Sequence, residues 1–323
     1  MLPDYKNKII SEIKWQGAKL SRPADTLYIG GGTPSLLGTD MLNEIIEAAQ
    51  NSFLGINEIT VEINPKDELD FSRLKATRLS IGMQSANDDE LKLLSRRHNI
   101  KDVENTIKKA QKYIKNISLD VILGIPYTNK EKLKKSLDFC INFDVPHISA
   151  YILKREKNTP FYTSSLPFLD DDAQSDLYLF CADYLKDHGY IRYEISNFCK
   201  PGFKSRHNLK YWLDKDYLGF GPSAHSRIGN KRFYYDRDFN SYLSGAKPIY
   251  EGDAGSEDEK IMLALRTDEG YDFKNFPQIE KTALMLAKNG LISYNNGVIT
   301  LTDKGALLEN AIISELLDKK NRR

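Results

Sequence analysis

The feature that most constrains the fold is a regular alternation of short β-branched runs and amphipathic stretches in the first half of the chain. Such alternation is typical of parallel β/α units, in which a helix connects each strand to the next. Thr39 or Asp40 is placed to cap the helix that starts near residue 40. The predicted strands are 26–30, 58–63, 78–84, 117–126 and 147–153, and helices between them include 40–53, 87–97 and 103–114.

Polar or glycine residues stand at the ends of four successive predicted strands. Loops that follow parallel strands share one edge of the sheet, so we expect these residues to meet there around a ligand. No G-x-G-x-x-G and no G-x-x-x-x-G-K-[ST] occurs, which excludes a dinucleotide fingerprint and a P-loop. Three glycines alone fit a tight turn equally well. The residues concerned are Gly30–Gly32, Glu62, Asn64, Gln84, Asp120 and Gly124.

The pattern changes after about residue 160. An amphipathic helix is predicted at 170–190, and an aromatic stretch with two histidines follows at 204–226. Beyond residue 257 the order is helix, helix, hairpin and helix, which resembles a winged helix. This region has eleven acidic and ten basic residues, so it lacks the basic surface of a DNA-binding domain. We interpret it as structural or as a lid, and predict three segments: 1–165, 166–250 and 251–323.

Composition and charge exclude several function classes. The chain has 46 basic and 45 acidic residues, so net charge favours neither nucleic acid nor an acidic membrane surface. It has no apolar run long enough for a transmembrane helix, and its first residues lack the apolar core of a signal peptide. Cys140, Cys181 and Cys199 have the spacing of neither a disulfide framework nor a metal knuckle. We therefore expect a cytoplasmic protein with reduced thiols.

An ordered series of motifs runs from about Tyr5 to the C terminus. It comprises YIGGGTPSLL, VEINPKD, RLSIGMQSANDDELKLLSRRHN, SLDVILGIPYT, HISAYIL, RYEISNF, HNLKYW and DYLGFGPSAHS. The series resembles the radical S-adenosylmethionine family, in the group of oxygen-independent coproporphyrinogen III oxidase and the haem chaperone HemW. HNLKYW resembles the H-N-x-x-Y-W signature of the chaperone branch. The resemblance implies an α/β fold, an open parallel β/α barrel followed by a small winged-helix-like α+β domain.

The resemblance also implies a site for S-adenosylmethionine along the strand ends. A Gly-Gly-Thr loop would hold the methionyl end, and a glutamate would bind the same ligand. A glutamine and an arginine would lie near its polar groups, the guanidinium being suited to a carboxylate. An aspartate would face the adenosyl part. The matching residues are Gly31, Gly32, Thr33, Glu62, Gln84, Arg96 and Asp120.

Haem and client haem proteins are the partners that the resemblance implies, with peripheral membrane contact where a client is membrane-bound. Haem iron takes histidine, cysteine, tyrosine or methionine as an axial ligand. The candidate haem-binding residues are His207, Tyr211, Trp212 and His225. In the competing interpretation, His207 and Asn208 form a buried polar turn that holds the second part of the chain to the barrel.

The motif C-x-x-x-C-x-x-C, whose thiolates hold the [4Fe–4S] cluster of this family, does not occur in the sequence. A start assigned too late and a real loss of the cluster both explain this. We favour the late start, because losing the first strand of a parallel barrel exposes a sheet edge. Three functions stay open: a haem chaperone, a radical coproporphyrinogen III oxidase, and a scaffold that binds neither cluster nor substrate. We do not expect the chain as it stands to be catalytic.

Overall fold

A seven-stranded, mostly parallel sheet forms the centre of the computed structural model, which describes residues 2–157 and 161–321. Its strands are β1 (Thr26–Ile29), β2 (Glu58–Ile63), β3 (Arg78–Gln84), β4 (Asn116–Leu123), β5 (His147–Ile152), β6 (Ile191–Arg192) and β7 (Asn197–Cys199). The order is β1-β2-β3-β4-β5-β7-β6. Strands β1 to β5 are parallel and β7 returns antiparallel to β5. The predicted parallel α/β architecture is therefore confirmed.

The two faces of this sheet differ in polarity because side chains alternate along each strand. On one face, residues such as Ile59 and Leu79 are buried in the main core against the helices. The opposite face, which we call the inner face, carries Thr60, Ser80 and Ser118 in the alternate positions. Branched apolar residues ordinarily fill a parallel barrel, so a polar inner face indicates a space built for polar ligands.

Six helices cover the apolar side of the sheet: α1 (Leu2–Leu20), α2 (Gly38–Ser52), α3 (Asp88–Leu93), α4 (Ile100–Ala110), α5 (Lys130–Asn142) and α6 (Asp171–Asp187). Capping of α2 by Thr39 or Asp40 is wrong. A 3₁₀ turn at Pro34–Leu37 runs directly into α2, so Thr39 lies inside the helix and accepts a hydrogen bond from the Asp70 N–H. Helix α3 is shorter than predicted because Ser95 turns the chain with a φ of 55°.

A second, antiparallel sheet follows the barrel. Its strand order is β10-β9-β8. Beside this sheet, Glu12 of α1 accepts hydrogen bonds from the hydroxyl groups of Tyr235 and Tyr242. Because Glu12 is nearly buried, these two hydroxyls supply the partners that its carboxylate needs. The elements are α7 (Arg206–Trp212), β8 (His225–Ile228), β9 (Lys231–Tyr234), α8 (Phe239–Leu243) and β10 (Ile249–Asp253).

The C-terminal segment has its own apolar core, formed by residues between 261 and 317. Its sheet has the order β11-β13-β12, and Asn296 and Gly297 make the predicted hairpin turn with φ angles of 49° and 85°. The boundary predicted at residue 250 stays a prediction, and β10 crosses that residue. The elements are α9 (Glu257–Ala264), β11 (Tyr271–Asp272), α10 (Glu280–Lys288), β12 (Ile292–Asn295), β13 (Val298–Leu301), α11 (Asp303–Leu307) and α12 (Glu309–Asn321).

Within residues 2–157 and 161–321, no helix is both long enough and apolar enough to cross a bilayer.

Candidate functional site

The glycine loop after β1 fixes the carboxylate of Glu62 on the neighbouring strand. The Gly31 N–H donates to Glu62 Oε2 over 3.0 Å, and the Tyr28 hydroxyl donates to Oε1 over 2.8 Å. A Cβ at Gly30 would lie 2.5 Å from the Glu62 carboxyl carbon and 2.7 Å from the Tyr28 ring, so only glycine fits. Gly31 adopts a φ of 83°, which also favours glycine. The loop thus positions an acid.

A small cavity of about 150 Å³ lies beside this acid at the carboxyl ends of the strands. Five of the seven residues predicted for S-adenosylmethionine line it. Gly31 does not line the cavity but donates its N–H to Glu62, which does. Thr33 lies just before the 3₁₀ turn and does not line the cavity either. The binding role of these residues stays a prediction. The lining residues are Gly32, Pro34, Glu62, Ile63, Asn64, Ser80, Gly82, Gln84, Arg96 and Asp120.

Sequence reasoning left Ser80 and Gly82 unassigned. The alternation in RLSIGMQ could have predicted them, because residues two apart on β3 lie on the same face as Gln84. A Cβ at Gly82 would lie 2.9 Å from the Gln84 amide nitrogen, so this glycine makes room for that side chain. Gln84 itself turns the chain at the end of β3 with a φ of 69°. The end of β3 is therefore shaped around the glutamine.

Asp120 is the deepest acid of the cavity. Burial raises its pKa to about 6, while hydrogen bonds from Ser149 and Ser80 lower it and the negative charge of Glu62 raises it further. The Ser80 hydroxyl donates to Asp120 Oδ1 over 3.2 Å. The charge of the cavity therefore changes by one unit near pH 6.

The raised pKa of Asp120 makes a prediction about stability. An aspartate with a higher pKa in the folded protein than in the unfolded chain stabilises the fold below the unfolded value of 3.8, and this contribution is lost as the pH rises through about 6. We expect Asp120→Asn to be more stable than the natural chain at pH 7, by roughly 2 kcal/mol. The difference should vanish below pH 4. Urea unfolding at both pH values measures it, with the exposed Asp40→Asn as the control.

Arg96 brings the opposite charge to the cavity. It follows the turn at Ser95, and its guanidinium makes no hydrogen bond with another residue that the structure describes. Burial lowers its pKa and the charge of Asp120 raises it. The guanidinium can donate to the carboxylate of an amino acid, and the Glu62 carboxylate opposite it can accept from the ammonium group. This charge arrangement fits the zwitterionic end of S-adenosylmethionine.

The cysteines do not fit an iron–sulfur cluster. All three are buried free thiols. Burial raises the pKa of Cys181 to about 12 and that of Cys199 to about 11, and it raises the pKa of Cys140 as well. Clusters are bound by thiolates, which these surroundings disfavour. The described residues also contain no group of three or more histidine, cysteine or acidic side chains able to hold a metal ion.

His207 is enclosed between α7 and the barrel. Its Nδ1 lies 2.9 Å from Thr26 Oγ1 and its Nε2 lies 2.9 Å from the Tyr211 hydroxyl. Its ring stacks on Tyr28 with centroids 5.1 Å apart. Burial lowers the pKa of His207 to about 4, so the ring is neutral. Glu58 accepts the N–H of His207 over 2.8 Å at the start of α7. These are the contacts that the polar-turn interpretation requires, and a haem role for His207 stays a prediction.

The four haem candidates do not form one group. His207 contacts Tyr211, whereas Trp212 lies 6.0 Å from the guanidinium of Arg266 in the C-terminal segment. His225 lies apart on β8 with its side chain half exposed, and no contact joins it to the other three within the described part of the chain.

The ring of His225 is held in place by a carboxylate and by an aromatic ring. Its Nδ1 lies 3.2 Å from Glu251 Oε2, and its ring stacks on Tyr234 with centroids 5.5 Å apart. Its Nε2 has no hydrogen-bonding partner among residues 2–157 and 161–321. Ile249 is in register with Tyr234, which is in register with His225, so the three lie in one row on one face of the small sheet. This row presents a nitrogen beside an aromatic and an aliphatic side chain.

Comparisons with known proteins agree with the fold. The model of the radical SAM superfamily matches residues 3–140. The solved structure of the Escherichia coli coproporphyrinogen III oxidase HemN, a radical SAM enzyme, superposes with a TM-score of 0.79. It is 19% identical and the match covers 98% of this chain and 83% of the oxidase, which shows the fold alone. The chain thus has the fold of the radical SAM class.

Curated relatives narrow this class. The chain is 31% identical to the haem chaperone HemW of Bacillus subtilis, over 97% of this chain and 91% of the relative. It is 32% identical to the HemW of Mycobacterium tuberculosis, over 95% of this chain and 84% of the relative. The chain belongs to the HemW family of radical SAM proteins.

Proposed function

We propose that this protein is a haem chaperone, which binds haem and delivers it to client haem proteins. The observation that carries the proposal is the 31% identity, over 97% of the chain, to a relative named haem chaperone. The chain also has the HNLKYW segment, although its histidine is enclosed in this structure. Identity to the coproporphyrinogen oxidase is only 19%, so the oxidase alternative has the weaker support. Because the cysteines are free thiols, we propose the cytoplasm as the compartment.

We place the haem iron at His225 rather than at His207. Metal-binding histidines commonly donate one ring nitrogen to a carboxylate and bind the metal with the other. His225 meets this description through Glu251, whereas both nitrogens of His207 are engaged. Ile249, in the same row, is 43% exposed and offers apolar surface to the flat macrocycle.

Titration of haem into the purified chain tests this function. We expect a saturable Soret band with the spectrum of a histidine-ligated haem and one haem per chain. A scaffold that has lost its ligands would give only the spectrum of free or aggregated haem at every ratio. An unaltered haem spectrum up to a large excess of protein would contradict the proposal.

We also propose that the cavity between Glu62 and Arg96 binds S-adenosylmethionine. Glu62 would accept hydrogen bonds from the ammonium group, Arg96 would bind the carboxylate, and Asp120 would face the adenosyl part. Beside a reduced cluster, this cofactor supplies a 5′-deoxyadenosyl radical. Because the described residues do not fit a cluster, the proposal for this chain is limited to binding.

Arg96→Ala is expected to weaken S-adenosylmethionine binding by about tenfold or more, because a charge-assisted bidentate contact is lost. Arg97→Ala is the matched control, since Arg97 is the next residue, is exposed and does not line the cavity. Isothermal titration measures both variants. Equal affinities of the two variants would show that the ligand carboxylate does not reach Arg96.

A further inference from the structure

Arg78 is a buried cation without an anion. It is the first residue of β3, lies on the inner face and is only 2% exposed. Its positive charge lowers the pKa of both His147 and His207, which places the guanidinium near their rings. Its Nε has no hydrogen-bonding partner, and no carboxylate of the described residues forms an ion pair with it. Burying an uncompensated charge is strongly unfavourable, so this position calls for a counter-ion.

Two neighbouring polar groups are also unpartnered. Arg78 is in register with Thr60 on β2 and with Asn116 on β4, so the three lie in one row across the sheet. Thr60 Oγ1 and Asn116 Oδ1 are buried and lack hydrogen-bonding partners. Folded proteins pair the large majority of such groups. Three orphaned groups in one row indicate a place for a polar ligand rather than isolated packing faults.

The acids of the inner face form no ion pair with Arg78, although its charge acts on Asp120 and lowers the pKa of that carboxyl. Glu58 accepts two backbone N–H groups at the start of α7. Glu62 accepts a tyrosine hydroxyl and a loop N–H. Asp120 accepts from Ser80 and sits further along the strands. No carboxylate of the described residues therefore contacts the guanidinium directly, which leaves that place open to a bound anion.

A cavity of about 510 Å³ lies at the amino ends of the strands and meets this row at Asn116, while Arg78 and Thr60 lie behind its wall. Thr77 and Asn116, the chain neighbour and the register partner of Arg78, line it. Lys204 and Arg206, which are paired with Asp268 and Asp25, line it as well, and so does Glu58. This cavity lies at the opposite end of the strands from the one lined by Arg96.

We propose that this second cavity binds the carboxylate group of a small molecule, with Arg78 as the buried partner. A planar guanidinium pairs with a carboxylate through two parallel hydrogen bonds. The Thr60 hydroxyl can donate a further hydrogen bond, and a 180° rotation of the Asn116 amide turns its nitrogen to the ligand. The carboxylate can belong to a free organic acid or to a haem propionate.

Thermal unfolding of the full chain in acetate tests the site, with acetamide as the neutral probe of the same shape and chloride at matched ionic strength. At about ten times its dissociation constant, acetate is expected to raise the unfolding midpoint by roughly 3 °C. Acetamide and chloride should leave it unchanged. Arg78→Met should abolish the response to acetate and unfold no earlier than the natural chain without acetate. Arg97→Met, an exposed arginine, should keep the response.

Three results would overturn the proposal: no shift in acetate, an equal shift in acetamide or chloride, or an equal acetate shift in Arg78→Met. If Arg78→Met does not fold, Arg78→Lys takes its place. This variant keeps the positive charge but loses the two parallel N–H donors of the guanidinium, so its response to acetate should be weaker. Titration with haem and with haem dimethyl ester then identifies the source. Weaker binding of the ester, dependent on Arg78, indicates a propionate, and equal binding indicates a free acid. The acetate response does not depend on haem binding.

Discussion

His225→Ala is expected to weaken haem binding by about a hundredfold or more. The iron loses its axial ligand, and the carboxylate of Glu251 loses the ring that it orients. Glu251→Gln keeps the ligand but weakens its orientation, so we expect a loss of about tenfold. Absorbance titration in the Soret region measures both variants. His188→Ala is the matched control, because His188 is another exposed histidine and its Nδ1 contacts only the backbone carbonyl of Tyr184.

His207→Ala separates the two histidines. Its removal deletes two hydrogen bonds, one part-buried and one exposed, and a stacked ring, so we expect lower stability with the Soret spectrum retained. If His225→Ala kept the spectrum and affinity while His207→Ala lost them, the iron would be bound at α7 instead. Such a result would require His207 to leave its contacts with Thr26 and Tyr211 on binding haem.

Gly30→Ala is expected to destabilise the protein by about 1–3 kcal/mol. The added methyl group would meet the Glu62 carboxyl group at 2.5 Å and the Tyr28 ring at 2.7 Å, so the loop or the acid must shift. Urea unfolding measures the loss. The same shift should weaken S-adenosylmethionine binding, because it moves Glu62.

Gly32→Ala is the control for this substitution, since a Cβ there has no heavy atom within 4 Å and the backbone is not in the left-handed region. We expect it to be neutral or to stabilise the protein by up to about 1 kcal/mol through the unfolded chain. Equal losses in both variants would mean that the loop does not pack against Glu62 as the structure has it.

Local patterns in the sequence were sufficient for much of the fold. Alternating β-branched runs and helical periodicities predicted all five parallel strands, and the Asn-Asn-Gly turn predicted the hairpin of the C-terminal segment. Most of the carboxyl-edge residues also meet as expected, because parallel strands bring their ends to one edge of the sheet, but Gly30, Gly31 and Gly124 do not line the cavity. Glu62, Gln84, Arg96 and Asp120 line one cavity.

Long-range contacts account for what the sequence did not predict. The partners of His207 include Thr26, 181 residues earlier in the chain, and no local pattern reveals such a pair. The row of Thr60, Arg78 and Asn116 depends on strand register, which alternation alone leaves open. The sequence predicted Thr39 as a helix cap. In the structure a 3₁₀ turn precedes α2, so the helix starts before Thr39.

The most direct test of a haem chaperone is transfer of haem from the loaded chain to an apo-haem protein. The chain is loaded with one equivalent of haem, mixed with apo-myoglobin and followed by the change in the Soret band. If the exposed face around His225 binds haem for delivery, transfer should be complete, and the loaded chain should remain stable without an acceptor. Failure to retain haem without an acceptor, or retention in the presence of excess acceptor, would contradict a chaperone role.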